Sequence, residues 1–369
     1  MSKSYDIAII GAGMAGASIA AELAPHASVL LAEAESAPGY HTTGRSAAFW
    51  EECYGGPGVV PLTLASGPYL REHGMLSPRG ALYIARSGAE DLAARFESRF
   101  AGTGVHIHRL GRAALESAVP GILPGWTIAI AEPACADIDV AALHQHYLAL
   151  ARRGGAELQC GARLQRAERE GGGWRLSFGS GEEARAGVLV DAAGAWADDI
   201  AALAGARPPG IKPLRRTVAQ LRTDPAPSRH LPLVLDLAGD FYFKPEGGRL
   251  WLSPHDETPS QPCDAAPEEF DVALAIDRLQ QVVDWRIEAV ERKWAGLRSF
   301  APDRLPVYGF DPAQPGFFWF AGQGGYGIQT APAAARLAAQ LLLGMPRDAM
   351  TERLDAALYA PDRFPGGST

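Results

Sequence analysis

The chain has 369 residues, 47% of them hydrophobic and 21% charged, with 34 basic side chains against 42 acidic ones and a net charge of -8. That length allows two domains sharing a boundary, and the acidic balance, with no block of Lys or Arg, excludes nucleic acid and anionic membranes as expected partners. Cys53, Cys135, Cys160 and Cys263 stand far apart with no C-x-x-C, which fits free thiols in a reducing cytoplasm, with no disulfide frame and no structural metal.

The chain opens on its most informative stretch, Tyr5 to Glu35. Ile7–Ile10 reads as a short buried strand, Gly11, Gly13 and Gly16 form G-x-G-x-x-G, and Ala15–Leu23 continues as a helix. Ser28–Ala32 is a second apolar run, and Glu33 stands at its end. This strand–turn–helix–strand–acid order predicts a dinucleotide site. Gly11 makes the tight turn, Gly13 lets backbone approach a pyrophosphate, Gly16 lets helix pack on strand, and Glu33 accepts from ribose hydroxyls. Residues 7–21 are uncharged and apolar, but they carry the glycines a nucleotide turn needs and follow only Lys3, so they do not read as a signal peptide. They are also too short to cross a bilayer.

Next comes Pro38–Ala48, a loop of small and polar residues suited to lie along a cofactor, with a helix expected to open near Ser46. Phe49 to Tyr54 mixes aromatic and acidic residues. A turn at 76–80 leads to a strand over 81–86, with helices expected over 89–101 and 112–118. Trp126–Ile130 is strand-like, and Asp137–Asp139 caps a helix running to Arg153. Strands at 157–160, 164–168 and 174–178 follow, with a Gly171–Gly173 hairpin. Gly187–Trp196 is a buried strand ending in small residues, where backbone can pass close to a flat ligand. Residues 197–204 are helical, and strands dominate 211–254. A Pro- and acid-rich loop (254–269) precedes a helix over 270–283. Arg286–Phe300, two strands at 306–310 and 317–321, a glycine turn (323–330) and a last amphipathic helix complete the chain. No membrane segment is evident.

That final glycine turn places a second helix N-terminus in a protein already predicted to hold a dinucleotide. A flavin gains from positive dipole at N1/O2 when it accepts hydride, whereas a nicotinamide has no such need. The ordered set G-A-G-M-A-G with Glu33, Y-H-T-T-G-R-S-A-A (40–48), V-L-V-D-A-A-G-A-W (188–196), W-A-G-L-R-S-F (294–300) and Q-G-G-Y-G-I-Q-T (323–330) resembles the D-amino acid oxidase-like FAD family, and within it the bacterial FAD-dependent D-arginine dehydrogenases. The likeness implies an α/β plus α+β fold. A Rossmann-type FAD-binding domain (1–77, 137–205, 299–369) would be interleaved with a β-sheet substrate domain (78–136, 206–298).

The resemblance also implies non-covalent FAD and oxidation of a D-amino acid to an imino acid, by hydride transfer from Cα to flavin N5. Water then gives a 2-oxo acid and ammonia. It places FAD at Gly11, Gly13, Met14, Ala15, Gly16, Glu33, Ala34, Thr43, Gly44, Arg45, Ser46, Ala47, Ala48, Leu164, Ala193, Gly194, Trp196, Arg298, Gly324, Gly325, Tyr326, Gly327, Ile328, Gln329 and Thr330. Arg298, Tyr242 and Tyr54 are the expected catalytic residues. Arg216, Phe49, Ala81, Gly325 and Gln329 join them around the substrate. A planar guanidinium holds a carboxylate in two parallel bonds, which fixes the Cα–H that faces the ring.

Two departures from the D-arginine pattern bear on the side chain. Gly80-Ala81 stands where those enzymes carry a carboxylate, with Glu51 or Glu52 as possible substitutes, and Phe49 stands where they carry a histidine. An unpaired cation would be costly to bury, so neutral or apolar side chains are expected. A glycine/sarcosine-type oxidase and a non-catalytic flavoprotein subunit remain the alternatives. The electron acceptor (a quinone, a dye-like carrier or O2) is open.

Overall fold

The computed structural model describes residues 3–47 and 49–364. Its framework is the expected one, two large sheets and their helices. In the first sheet, the strands Phe317–Ala321, Glu183–Asp191, Lys3–Ile10, Val29–Ala32 and Glu157–Gln159 run side by side in parallel. Where both faces are covered, at Ile7–Ile10, Val29–Ala32 and Phe317–Ala321, these strands are apolar. Met14–Leu23, Val140–Arg153 and Ala331–Leu343 pack on one face, while Ala197–Leu203 and an antiparallel hairpin (Leu164–Glu170 with Gly173–Phe178) cover the other. Asp139 caps its helix, accepting from the Ala142 N–H at 2.9 Å.

Register places the site. Ile10 pairs with both Asp191 and Ala32, so Gly11, Ala192 and Glu33 emerge together at the carboxyl edge of the sheet. Gly11 has φ +99°, and a Cβ there would lie 2.6 Å from the Ala192 carbonyl oxygen. A Cβ on Gly16 would lie 1.7 Å from the Gly11 carbonyl oxygen, so strand end and helix touch backbone to backbone.

The second sheet has ten strands, mostly antiparallel. Its spine is Lys212–Asp224 against Arg286–Phe300, flanked by Arg249–Ser253, Tyr242–Glu246, Leu233–Asp236, Ala81–Arg86 and Trp126–Glu132. Helices Arg112–Ala118 and Glu269–Gln280 pack on one face. The other face carries Tyr83, Arg216, Val218, Leu235, Tyr242 and Arg298 into a cavity shared with the first sheet.

One expectation needs correction. No helix opens near Ser46: Thr43–Arg45 is a single 3-10 turn, followed by the two-residue strand Phe49–Trp50. The helix in this region is Val60–Glu72, hidden in the sequence because Gly67-Pro68 reads as a break. Three of the boundaries in the expected domain division, 77/78, 136/137 and 298/299, lie within the strands Leu76–Pro78, Ala136–Ile138 and Arg286–Phe300. Leu76–Pro78 and Ala136–Ile138 pair in a small third sheet with Phe49–Trp50. Arg286–Phe300 is one continuous strand whose last two residues pair with Gly324 and Gln323. The remaining boundary, 205/206, falls at Gly205, ahead of Pro208, Pro209 and Gly210.

Candidate active site

A continuous cavity of about 940 Å³ runs from the first glycine turn to the arginines of the second sheet. At one end lie Gly11, Gly13, Met14, Ala15, Glu33 and Ala34. Glu33 is buried, and its carboxylate accepts from the Ala12 N–H at 2.8 Å and the Glu35 N–H at 2.9 Å. Two backbone donors thus fix its oxygens at the cavity wall. The Met14–Leu23 helix starts at Gly13 without an acidic residue in its first turn, which keeps its positive end open to an anion. Thr43 Oγ1 accepts from the Met14 N–H at 2.9 Å, tying the 38–47 loop over the turn.

The middle of the cavity is lined by Thr43, Arg45, Ser46, Ala47, Leu164, Ala193, Gly194 and Trp196. Trp196 packs on His41, ring centroids 4.6 Å apart. Arg45 points away from the cavity centre, pairing with Asp264 and donating to the Ala265 carbonyl at 2.8 Å. Gly44 and Thr330 do not line the cavity, and Ala48 lies outside the described residues. Gly44 is needed for close packing, since a Cβ would sit 2.8 Å from the Gly39 carbonyl oxygen. Thr330 is the N-cap position of the last helix and donates its hydroxyl to the Tyr326 carbonyl at 2.9 Å.

At the far end, Arg216 and Arg298 lie on neighbouring strands, offset by two residues: Arg216 pairs with Gly296, and Leu214 with Arg298. Both are buried. Arg298 Nη1 donates to the Tyr54 hydroxyl at 2.8 Å. Arg216 lies over the Tyr242 ring at 5.8 Å and donates through Nε to the Asp256 carbonyl at 2.9 Å. Burial and then the neighbouring Arg298 charge lower the Arg216 pKa to about 10. These two desolvated cations already face carboxylates, Glu257 at 3.0 Å from Arg298 and Asp256 at 3.8 Å from Arg216. Phe49 closes the aromatic wall, 6.0 Å from Tyr54 and 5.7 Å from Tyr242 between ring centroids. Gly325 lies against Tyr54 so closely that a Cβ would meet the hydroxyl oxygen at 1.9 Å. Gly324, Tyr326, Gly327, Ile328 and Gln329 continue this wall.

Two expected substrate contacts need correction. Ala81 is buried in its strand and does not line the cavity; Tyr83, two residues on and on the same face, does. Gln329 lines the cavity, but its amide is engaged elsewhere. It donates to the Glu51 carbonyl at 3.1 Å and Thr63 Oγ1 at 2.8 Å, and accepts from the Glu51 N–H at 3.2 Å.

Of the two acids considered as counter-charges, Glu51 reaches the cavity wall and Glu52 does not. The Tyr83 hydroxyl donates to Glu51, and burial, with Glu132 beside it, pushes the Glu51 carboxyl well above the usual range. Burial therefore disfavours a charge on Glu51 in this wall. Glu51, Cys53 and Glu132 bring their ligand atoms within 4.8 Å of one another. Burial raises the Cys53 thiol far from thiolate character, and Glu132 accepts from the Glu52 N–H at 2.6 Å, so these groups are already satisfied without an ion.

Sequence reasoning missed His255, Glu257 and Arg304, which all line the arginine end. Burial and the two arginines hold the His255 pKa down to about 3, so this imidazole is neutral beside the clamp.

The sequence profile of the DAO family, described as FAD dependent oxidoreductase, matches residues 6–341. The chain belongs to that family. FAD is its cofactor, and the cavity fits it: a backbone-to-backbone glycine turn, a fixed acid and a helix start at one end, and small residues at the strand end beside it. Among this family member's curated relatives, FAD-dependent oxidoreductase domain-containing protein 1 of Bos taurus is 30% identical, over 42% of this chain and 35% of the bovine one. The match thus spans about a third of that relative's length. Hydrogen cyanide synthase subunit HcnC of Pseudomonas aeruginosa is 23% identical over 84% of this chain and 85% of its own. Glycine oxidase from Geobacillus kaustophilus superposes with a TM-score of 0.84, at 24% identity, covering 99% of this chain and 100% of that one. L-proline dehydrogenase from P. horikoshii gives the same TM-score at 21% identity, covering 99% and 98%. No helix among the described residues is long and apolar enough to cross a membrane.

Proposed function

We propose that this DAO-family chain oxidises small D-amino acids to imino acids, with neutral or apolar side chains preferred over arginine. The observation that carries the reading is the buried pair Arg216 and Arg298, set among Tyr54, Tyr242 and Phe49 at the far end of the FAD cavity. A substrate carboxylate seats on Arg298 and Arg216, with the Tyr54 hydroxyl as a further donor. Tyr54 oxygen already accepts from Arg298, so its hydrogen is left to point into the cavity. Gly325 lines this end, and its carbonyl is the acceptor we assign to the amine. Two guanidinium charges nearby favour the neutral amine, whose proton passes to water. The amine lone pair then forms the C=N bond as the Cα–H departs with its electron pair, and water hydrolyses the imino acid to a 2-oxo acid and ammonia. FAD, when bound, supplies the acceptor for that hydride.

Preference for the D series rests on the five ordered motifs and the family likeness they carry. Preference for neutral side chains rests on Phe49, Val218, Leu235 and Tyr242 lining this end, where burial disfavours a charge on Glu51. The proposed domain division keeps every strand of the first sheet in the FAD-binding segments. Likeness to glycine oxidases makes glycine and sarcosine the controls.

Holoenzyme mixed under argon with a panel of D- and L-amino acids tests the proposal through loss of flavin absorbance near about 450 nm. D-alanine, D-valine and D-methionine are expected to bleach it, with D-arginine slower. Reduction by L-isomers alone, or by no amine, contradicts the reading. Comparing oxygen uptake with dye reduction then assigns the acceptor.

A further inference from the structure

The segment His255–Glu257 is strung across the arginine pair. Its backbone is pinned: the Asp256 carbonyl accepts from Arg216 Nε at 2.9 Å and from Arg298 Nη2 at 3.3 Å, and the His255 carbonyl accepts from Arg216 Nη2 at 3.3 Å. The Asp256 carboxylate accepts from the Thr217 N–H at 2.7 Å and the Thr217 hydroxyl at 3.0 Å. His255, at φ 56°, anchors the near end through its Nδ1, 2.7 Å from the Gly239 carbonyl oxygen.

Glu257 is different. Its Oε1 lies 3.0 Å from Arg298 Nη2 and 3.7 Å from Arg216 Nη2, inside the cavity and on the clamp itself. The same oxygen accepts from Arg304 Nη2 at 2.7 Å. Arg304 is half exposed and stacks on Phe300, 4.0 Å from the ring centroid, so this outer partner sits at the rim. Arg298 Nε, meanwhile, is buried with no partner among the described residues.

We propose that Glu257 is a resident carboxylate occupying the substrate's seat on Arg298, and that it sets affinity and specificity by competing with every carboxylate ligand for that guanidinium. The inference rests on the clamp reading given above. The exchange is feasible because it strands no charge: an incoming carboxylate takes Arg298 and Arg216, while Glu257 swings outward and keeps Arg304. A ligand lacking a carboxylate has nothing to trade and leaves the seat filled. The pair is thereby never left as two bare cations, and small amines without an acid group are rejected.

The test is a flavin-perturbation titration of holoenzyme with benzoate, alongside steady-state kinetics on the best amino acid. Glu257→Gln keeps the shape and removes the charge, and it is expected to lower the benzoate Kd at least about fivefold and to lower KM more than it changes kcat. Arg304→Gln removes the outer partner, leaves Glu257 to Arg298 and Arg216, and is expected to raise the same Kd. Should Glu257→Gln fold poorly, Glu257→Asp shortens the reach by one methylene and is also expected to tighten benzoate. A merely structural Glu257 would weaken binding in all three variants; that outcome, or an unchanged Kd in Glu257→Gln, overturns the proposal. Benzoate binding that needs Arg298 but ignores Glu257 leaves the clamp standing without its competitor. Binding indifferent to Arg298→Met removes both.

Discussion

Replacing Arg298 with methionine is expected to lower kcat/KM for an amino acid substrate by about two orders of magnitude, matching about 3 kcal/mol for truncating one partner of a buried charge pair. Arg298 donates to Tyr54 through one terminal nitrogen and faces Glu257 with the other, in a wall formed by Tyr54, Phe300 and Gly325. Arg298→Lys is expected to recover only part of the loss, because a point charge on a flexible stem cannot form two parallel bonds or keep Tyr54 turned. Arg216→Met should cost less. Its guanidinium is already held by the His255 and Asp256 carbonyls and rests on Tyr242, so it contributes more to charge than to aim. Steady-state kinetics on the three variants, with flavin content checked first, measures this. Equal kcat/KM in Arg298→Met and the parent protein rules out the carboxylate clamp.

The second large effect is on the cofactor. Gly11→Val is expected to yield protein that loses FAD on gel filtration, with affinity reduced about a hundredfold. Gly11 is at φ +99°, and a Cβ there meets the Ala192 carbonyl oxygen at 2.6 Å and the Ala193 Cα at 3.0 Å. The left-handed backbone costs a branched residue about 1–2 kcal/mol, and forcing the strand ends apart adds about 1–3 kcal/mol, so about 3 kcal/mol falls on the turn that carries the phosphates. Fluorescence titration with FAD gives the affinity, and far-UV circular dichroism checks that the variant is folded. A folded variant with a full complement of tightly held flavin contradicts the assignment of this turn.

What the sequence revealed follows the reach of its patterns. The nucleotide unit is legible because strand, turn, helix and acid lie within 31 consecutive residues, each with its own local signal. Arg298 is legible because it stands in a motif between Leu297 and Phe300. Glu257 was not: it sits in a Pro- and acid-rich loop, and it meets Arg298 only because the second sheet brings together residues 41 positions apart. Arg304 and His255 were missed for the same reason, since nothing local distinguishes them from solvated charge. Ala81 misled by lying beside a recognisable turn, whereas the cavity wall is reached two residues further along the same face, at Tyr83. Pro68 hid the Val60–Glu72 helix, whose tertiary packing against the last helix overrides a poor local propensity.

The central claim is that one cavity holds FAD along the first sheet and presents a carboxylate to it from the second. A crystal structure of the holoenzyme with benzoate tests this most directly. The account predicts density for the ribose of FAD beside Glu33, the flavin ring between the 323–329 wall and Tyr242, and the benzoate carboxylate on Arg298 with Glu257 turned to Arg304. Benzoate bound away from both arginines, or a flavin ring that does not reach the second sheet, contradicts it.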